Sequence, residues 1–176
     1  MSDVSVTLEP PVGMVLIRGA HDDIGNALAK ALALGLPDRL SLTYADGRSL
    51  LWFSPDELLL LTPPGKAGSA VEKIGAALAG RHHLAVDVSD ARVMFRLEGA
   101  SGALRDTLAK LTPADMRPAS FPVGMVRRTR LAQVPAAIWF AGETEARVLV
   151  FRSVAIYARD LLDNAARPGA AVGYFA

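Results

Sequence analysis

The chain has 176 residues, a net charge of +1 from 19 Lys and Arg against 18 Asp and Glu, a hydrophobic content of 51% and no cysteine. The near-balanced charge gives no long-range field to attract nucleic acid or anionic lipid, and the lack of cysteine excludes disulfides and thiolate metal ligands. Such a length holds one domain, or two small halves sharing a core, and the high apolar fraction favours a partner that covers part of the surface.

The opening ten residues lack a basic segment followed by an apolar one, and no apolar run reaches the ~18 residues that span a bilayer, so the expectation is a cytoplasmic protein. After Pro10-Pro11, Gly13-Met-Val-Leu-Ile-Arg18 has the apolar density of a buried strand closed by Gly19. His21-Asp22-Asp23 offers an N-cap to a helix with Ile24, Leu28 and Leu32 along one face, ending near Gly35-Leu-Pro37. Leu40 to Tyr44 and Ser49 to Phe53 flank an Asp-Gly turn, which favours positive φ and a hairpin. The stretch Leu50-Leu-Trp-Phe-Ser-Pro-Asp-Glu-Leu-Leu-Leu-Leu61 reads as two apolar strands joined by a Ser-Pro-Asp-Glu turn. A helix carrying Val71, Ile74 and Leu78 follows and stops at Gly80.

The same order then returns. His83 to Val88 is a connecting strand, and Val93, Phe95 and Leu97 alternate with mostly polar neighbours. Glu98-Gly99-Ala100 leads into a helix with Leu104, Leu108 and Leu111, as Arg18-Gly19-Ala20 leads into the first. A proline-rich loop, a basic strand over Val126 to Leu131 and a hairpin of Ala136 to Phe140 with Arg147 to Phe151 precede a last helix, for which Ser153 is the expected N-cap. Trp52-Phe53 and Trp139-Phe140 hold corresponding places in the two hairpins. The expected fold is α+β: a single domain over 1–176 made of duplicated β-α-β-β-β-α units, with pseudo-repeats over 13–80 and 83–165 and a tail over 166–176. Antiparallel sheets with helices on one face suit that order. The alternative is two unrelated hairpins that share a Trp-Phe pair.

The chemistry is sparse. Gly99-Ala-Ser101-Gly-Ala103 lacks the second glycine of a nucleophile elbow, and no histidine follows His83, which removes the serine-hydrolase order. His82 and His83 point to opposite sides of a strand and have no further ligands at metal-binding spacing. Gly65-Lys66-Ala-Gly68-Ser69 has Leu60 where a phosphate loop needs its first glycine, and no G-x-G-x-x-G occurs. Asp87 and Asp90 could serve as acid-base carboxylates, although Asp87-Val-Ser-Asp90 also makes an Asx-type turn, the preferred reading. Arg128 and Arg130 share one strand face and Arg127 takes the other; two cations on one face could meet a carboxylate-bearing ligand or an acidic partner, although a solvated strand face with local pairing is the preferred reading. No catalytic residue, cofactor-binding residue or metal ligand emerges. The possible ligand or partner contacts are Trp52, Arg128, Arg130 and Trp139.

Val86-Asp-Val-Ser-Asp-Ala-Arg92, Arg96-Leu-Glu-Gly99, Leu108-Ala-Lys110 with Asp115, Phe121-Pro122, Arg128-Thr129, Arg152-Ser-Val-Ala155 and Leu51-Trp-Phe-Ser-Pro-Asp-Glu57 stand in one order. This ordered set resembles the gamma subunit of heterotetrameric sarcosine oxidase. The chain departs from the family's pattern at Leu111-Thr112, where a Gly-Cys pair is common, and at Ala158-Arg159, where an aromatic is frequent. The resemblance implies a fold similar to the folate-binding T-protein of the glycine cleavage system. It also implies a complex that oxidises sarcosine to glycine, forms hydrogen peroxide and passes the methyl carbon to tetrahydrofolate. In that complex alpha and beta subunits carry FAD, FMN and NAD, a delta subunit carries zinc, and gamma packs on alpha without carrying the chemistry. Two further readings stay open. One is a stand-alone folate or pterin binder using Trp52, Trp139 and the Arg128 and Arg130 face. The other is a small methyltransferase-like enzyme using Asp87 or Asp90.

Overall fold

The structure, a computed structural model, describes residues 4–175. Ten strands and four α-helices follow one another as β1 (Val4–Leu8), β2 (Gly13–Arg18), α1 (His21–Leu32), β3 (Leu42–Ala45), β4 (Arg48–Ser54), β5 (Glu57–Thr62), α2 (Ala67–Ala77), β6 (Leu84–Asp87), β7 (Arg92–Gly99), α3 (Ser101–Ala109), β8 (Val126–Leu131), β9 (Val134–Gly142), β10 (Glu145–Phe151) and α4 (Ala155–Ala165). They form two compact units. One is Pro11–Asp90, and the other combines the residues up to Pro10 with those from Ala91 onward.

The unit Pro11–Asp90 holds a five-stranded antiparallel sheet in the order β3-β4-β5-β2-β6. Local chemistry sets its hairpins. Asp46 and Gly47 both take positive φ, at 50° and 73°, in the two-residue turn between β3 and β4, and Pro55-Asp56 closes β4 onto β5. Val15, Ile17, Leu50, Leu58 and Leu60 face α1 and α2, where Ile24, Leu28, Ile74 and Leu78 complete the core with Trp52 packed against it. The other face of the sheet carries Met14, Leu51, Leu59 and Leu61, also buried. Strands buried on both sides read as continuous apolar runs, and this explains the four leucines of β5.

The second unit repeats the plan in the order β1-β7-β10-β9-β8. Phe95, Leu97, Ile138, Phe140 and Val148 face α3 and α4, which contribute Leu104, Leu108, Ala158 and Leu162. The leading strands are exchanged. β1, which precedes β2 in the chain, pairs with β7, whereas β6, which precedes β7, pairs with β2.

Helix ends differ from the sequence reading in two places. The N-cap of α1 is Ala20, not the His21-Asp22-Asp23 run, and the cap of α3 is its counterpart Ala100; neither cap bonds through a side chain. Ser153 lies in a short 3-10 turn, Arg152–Val154, and α4 starts after Val154. In each of the first two cases the strand-Gly-Ala joint, not a polar cap, turns the chain into its helix.

Register also corrects the alignment of the two Trp-Phe pairs. In the first unit Ile17 pairs with Leu58, which pairs with Trp52; in the second Leu97 pairs with Ala146, which pairs with Phe140. Ile17 and Leu97 each stand two residues before the glycine of the joint, so Trp52 corresponds to Phe140. Trp139 corresponds to Leu51. A one-residue slip moves a side chain to the other face, and a register shift between Trp52 and Ser54 at the end of β4 hides that slip in the sequence.

Candidate functional site

The residues singled out for ligand or partner contact do not share one environment. On β8 and β9, Val126 stands opposite Trp139, Arg128 opposite Ala137 and Arg130 opposite Pro135, which places Arg128, Arg130 and Trp139 on the face turned away from α3 and α4. Arg128 and Arg130 are exposed, but Trp139 is only 4% exposed. Trp52 faces the other way in its own sheet and packs on the α1–α2 core. Arg127 reaches the helix side of β8, where its Nη2 donates to the Ser120 carbonyl at 2.9 Å and its guanidinium lies 5.7 Å from the Phe121 ring centre.

Trp139 begins a row that crosses the sheet. It stands opposite Arg147, which stands opposite Arg96, so two guanidinium groups are direct cross-strand neighbours. Glu9 holds them together: its Oε1 is 3.1 Å from Arg96 Nε and also accepts from Arg147 Nη1. Glu145 lies 2.9 Å from Arg147 Nη2 and Glu98 lies 3.4 Å from Arg96 Nη1. The corresponding positions of the first unit are Leu59 and Leu16. The second sheet thus carries a compensated ion ladder where the first carries leucines.

Asp87 is committed to its turn. Its Oδ1 accepts from Ser89 N at 2.9 Å and Ser89 Oγ at 2.5 Å, while the same Oγ accepts from Met14 N at 2.9 Å. The Ser89 hydroxyl and amide hold the Asp87 carboxyl below the ordinary carboxylate range, the wrong direction for a general acid near neutral pH. Ser101 Oγ donates to Glu143 Oε2 at 3.2 Å, and His83 Nδ1 lies 3.0 Å from the Arg81 carbonyl. Among the described residues no three His, Asp or Glu side chains gather as a metal site.

Two buried charges on α3 escaped the sequence reading, which assigned that helix its leucine face alone. Arg105, 2% exposed, donates through Nη1 to the carbonyls of Met116 at 2.7 Å and Phe121 at 3.0 Å and lies 4.2 Å from the Phe140 ring centre. It pins the loop between α3 and β8, and burial lowers its pKa. Its neighbour Asp106, 5% exposed, accepts from the amides of Gly173 at 2.6 Å, Tyr174 at 3.2 Å and Phe175 at 3.3 Å. The tail expected over 166–176 is therefore bound to α3 along its described part. A hollow beside it, lined by Val4, Ala103, Thr107, Ala166, Arg167 and Ala171 among others, has a volume of about 10 Å³, enough for one water molecule.

A pterin needs an accessible aromatic face beside its polar anchors. Trp139 is buried and Trp52 packs on its own core, so both rings proposed for stacking are taken up by packing.

The model of the sarcosine oxidase gamma subunit family matches residues 18–167. The chain belongs to that family. It is 38% identical over 136 residues to the sarcosine oxidase subunit gamma of Arthrobacter sp., covering 76% of this chain and 65% of that protein. It is 36% identical over 119 residues to the subunit gamma of Corynebacterium sp. (strain P-1), covering 66% of this chain and 57% of that one. The chain thus spans less than two thirds of the length of these relatives.

Among solved structures, this family member is similar to a chain of the heterotetrameric sarcosine oxidase from Corynebacterium sp. U-96. The TM-score is 0.85 with 28% identity, over 96% of this chain and 86% of that one. It is also similar to the glycine cleavage system aminomethyltransferase T from Bartonella henselae, with a TM-score of 0.66 and 13% identity over 92% of this chain and 46% of that one. At that identity the likeness concerns the fold alone, and the T-protein-like α+β architecture expected from the sequence is the one found. Among the described residues no helix is long and apolar enough to cross a membrane.

Proposed function

We propose that this chain is the noncatalytic gamma subunit of a heterotetrameric sarcosine oxidase. It packs on an alpha subunit and through it joins the beta and delta subunits, in an assembly that converts sarcosine to glycine with hydrogen peroxide and 5,10-methylenetetrahydrofolate as further products. FAD, FMN, NAD and tetrahydrofolate belong to the other subunits in this reading, and the chain supplies a cytoplasmic scaffold. The observation that carries it is the match over almost the whole chain to a chain of a heterotetrameric oxidase, joined to membership of the gamma family. Supporting it, the Asp87 carboxylate is engaged in its turn, the Ser101 hydroxyl donates to Glu143, and the charges buried in α3 hold backbone.

Capture of the chain from its native cytosol tests the proposal. A yellow eluate that oxidises sarcosine supports it; a colourless single species overturns it. Arg128→Ala combined with Arg130→Ala tests the β8 face within the same assay, since those two exposed cations are expected to affect assembly more than turnover per assembled complex. Unchanged assembly on gel filtration removes β8 from the interface.

A further inference from the structure

Chain connectivity does not call for the exchange of β1 and β6. If β1 stood on β2 in the register that β6 adopts, Glu9 would face Met14, as Val88 does, and residues 10–13 would close a short hairpin. If β6 stood on β7 in the register of β1, Val88 would face Met94, as Glu9 does, and residues 89–93 would close another. Both hairpins are antiparallel and local, so they close smaller loops than the native pairings and form sooner. On the helix side the two strands are alike: Val6 of β1 and Ala85 of β6 each pack against the core of the sheet they join. That side does not tell them apart.

The difference is one row on the opposite face. Arg96 and Arg147 of the second sheet stand where the first has Leu16 and Leu59. Glu9 N donates to the Met94 carbonyl at 2.9 Å and Val88 N to the Met14 carbonyl at 2.8 Å, so Glu9 and Val88 are counterparts as well. Three apolar residues in one sheet are thus replaced together by three charged ones in the other. Of the carboxylates on the ion ladder Glu9 is the most buried, its side chain 19% exposed against 28% for Glu145 and 45% for Glu98, and of the three it is the one in contact with both arginines.

Either local hairpin mismatches this row. β1 on β2 would set the Glu9 carboxylate over Leu16 and Leu59, and β6 on β7 would lay Val88 beside two opposed guanidinium groups with the anion between them withdrawn. Parting a half-buried charge from its partners costs more than the intact set contributes, so such a set discriminates between pairings. Pro10 and Pro11 act in the same direction, since each holds the residue before it extended and opposes a tight turn directly after Glu9.

We propose that Glu9, Arg96 and Arg147, set against Val88, Leu16 and Leu59, are a strand-assignment device. The charged row admits β1 to the second sheet, the apolar row keeps β6 on the first, and the mismatch excludes the two local hairpins.

Nuclear Overhauser contacts between Hα atoms in the full chain test this, because facing residues of a non-hydrogen-bonded antiparallel pair bring those atoms close. The wild-type chain should show Val6–Leu97 and Ala85–Ile17. In Glu9→Val/Arg96→Leu/Arg147→Leu both sheets carry an apolar row, and the contacts of the local hairpins, Val6–Ile17 and Ala85–Leu97, should appear in about 10% or more of the molecules. Glu9→Val alone, one change at a partly exposed position, should show the same second set. Pro10→Ala/Pro11→Ala, with the charges in place, should keep the wild-type contacts. Wild-type contacts alone in the folded triple variant, or in Glu9→Val if the triple variant does not fold, overturn the proposal. Local-hairpin contacts in the double alanine variant also overturn it, because the exchange is then enforced by the prolines.

Discussion

Trp52 and Phe140 occupy the same position in the two sheets, each facing the helices of its own unit, although neither is the residue that a Trp-Phe alignment pairs with the other. The site asks for an aromatic ring over the helix layer, and Phe140 shows that a phenyl ring satisfies it. Trp52→Phe should therefore cost about 1 kcal/mol, and Trp52→Ala about 3 kcal/mol. Urea denaturation of both variants checks the order. Equal losses would mean that ring packing is not what stabilises this position.

Glu9 is the counter-charge of an arginine pair. Arg96 and Arg147 are directly opposed across β7 and β10, an arrangement that repels unless an anion lies between them. Glu9→Gln leaves the shape and removes the charge, and should destabilise the protein by about 1–2 kcal/mol at low salt, less at high salt. Arg147→Leu restores the residue type of its counterpart Leu59 and, made in the Glu9→Gln background, should recover part of the loss. Denaturation midpoints of the single and double variants at two salt concentrations measure this.

Arg105 holds two carbonyls that the loop between α3 and β8 cannot offer to any regular element. Arg105→Met keeps much of the aliphatic volume and leaves the Met116 and Phe121 carbonyls without this donor, at an expected cost of about 3 kcal/mol. Limited proteolysis should then cut within 112–125 before any strand. Cleavage first elsewhere would show that the loop is fixed by its own packing.

His21, at the start of α1, gives the fold a pH dependence of known sign. Partial burial lowers its pKa below 6.5, outweighing the attraction of Asp56 and Asp22. The unfolded chain then binds the proton more readily than the folded one. Nothing is lost above the unfolded value; stability falls as pH drops through about 6.5 and levels off below the folded pKa. The slope of the unfolding free energy between pH 7.5 and 5.5 should shrink in His21→Gln. An unchanged slope would assign it to another group.

Much of the fold was legible because it is local. The Asp46-Gly47 turn, the Pro55-Asp56 turn and the two Gly-Ala joints each carry their geometry in two or three adjacent residues, and the leucine spacing of α1 and α3 marks their buried faces. The face of Trp139 was not legible, because an identical dipeptide carries no phase and the end of β4 holds a register irregularity. Arg105 and Asp106 were missed for a different reason. A charged pair in mid-helix ordinarily faces solvent, and the carbonyls and amides that satisfy these two come from residues 116, 121 and 173–175, whose approach no spacing rule encodes. The candidate contacts were assembled only in part: Arg128, Arg130 and Trp139 share a face, while Trp52 belongs to a core.

The exchange of β1 and β6 bears on the order in which the molecule can be made. As the polypeptide leaves the ribosome, β1 emerges first and has no ladder to join until β7 follows, whereas the sheet of Pro11–Asp90 closes as soon as β6 appears. Severing the backbone after Asp90 gives unequal products. The leading fragment keeps five paired strands and trails β1 as an orphan ribbon, and the remaining fragment has β7 exposed along one side. That ribbon and that vacant side are complementary, so the two fragments are expected to find each other again through the β1–β7 ladder.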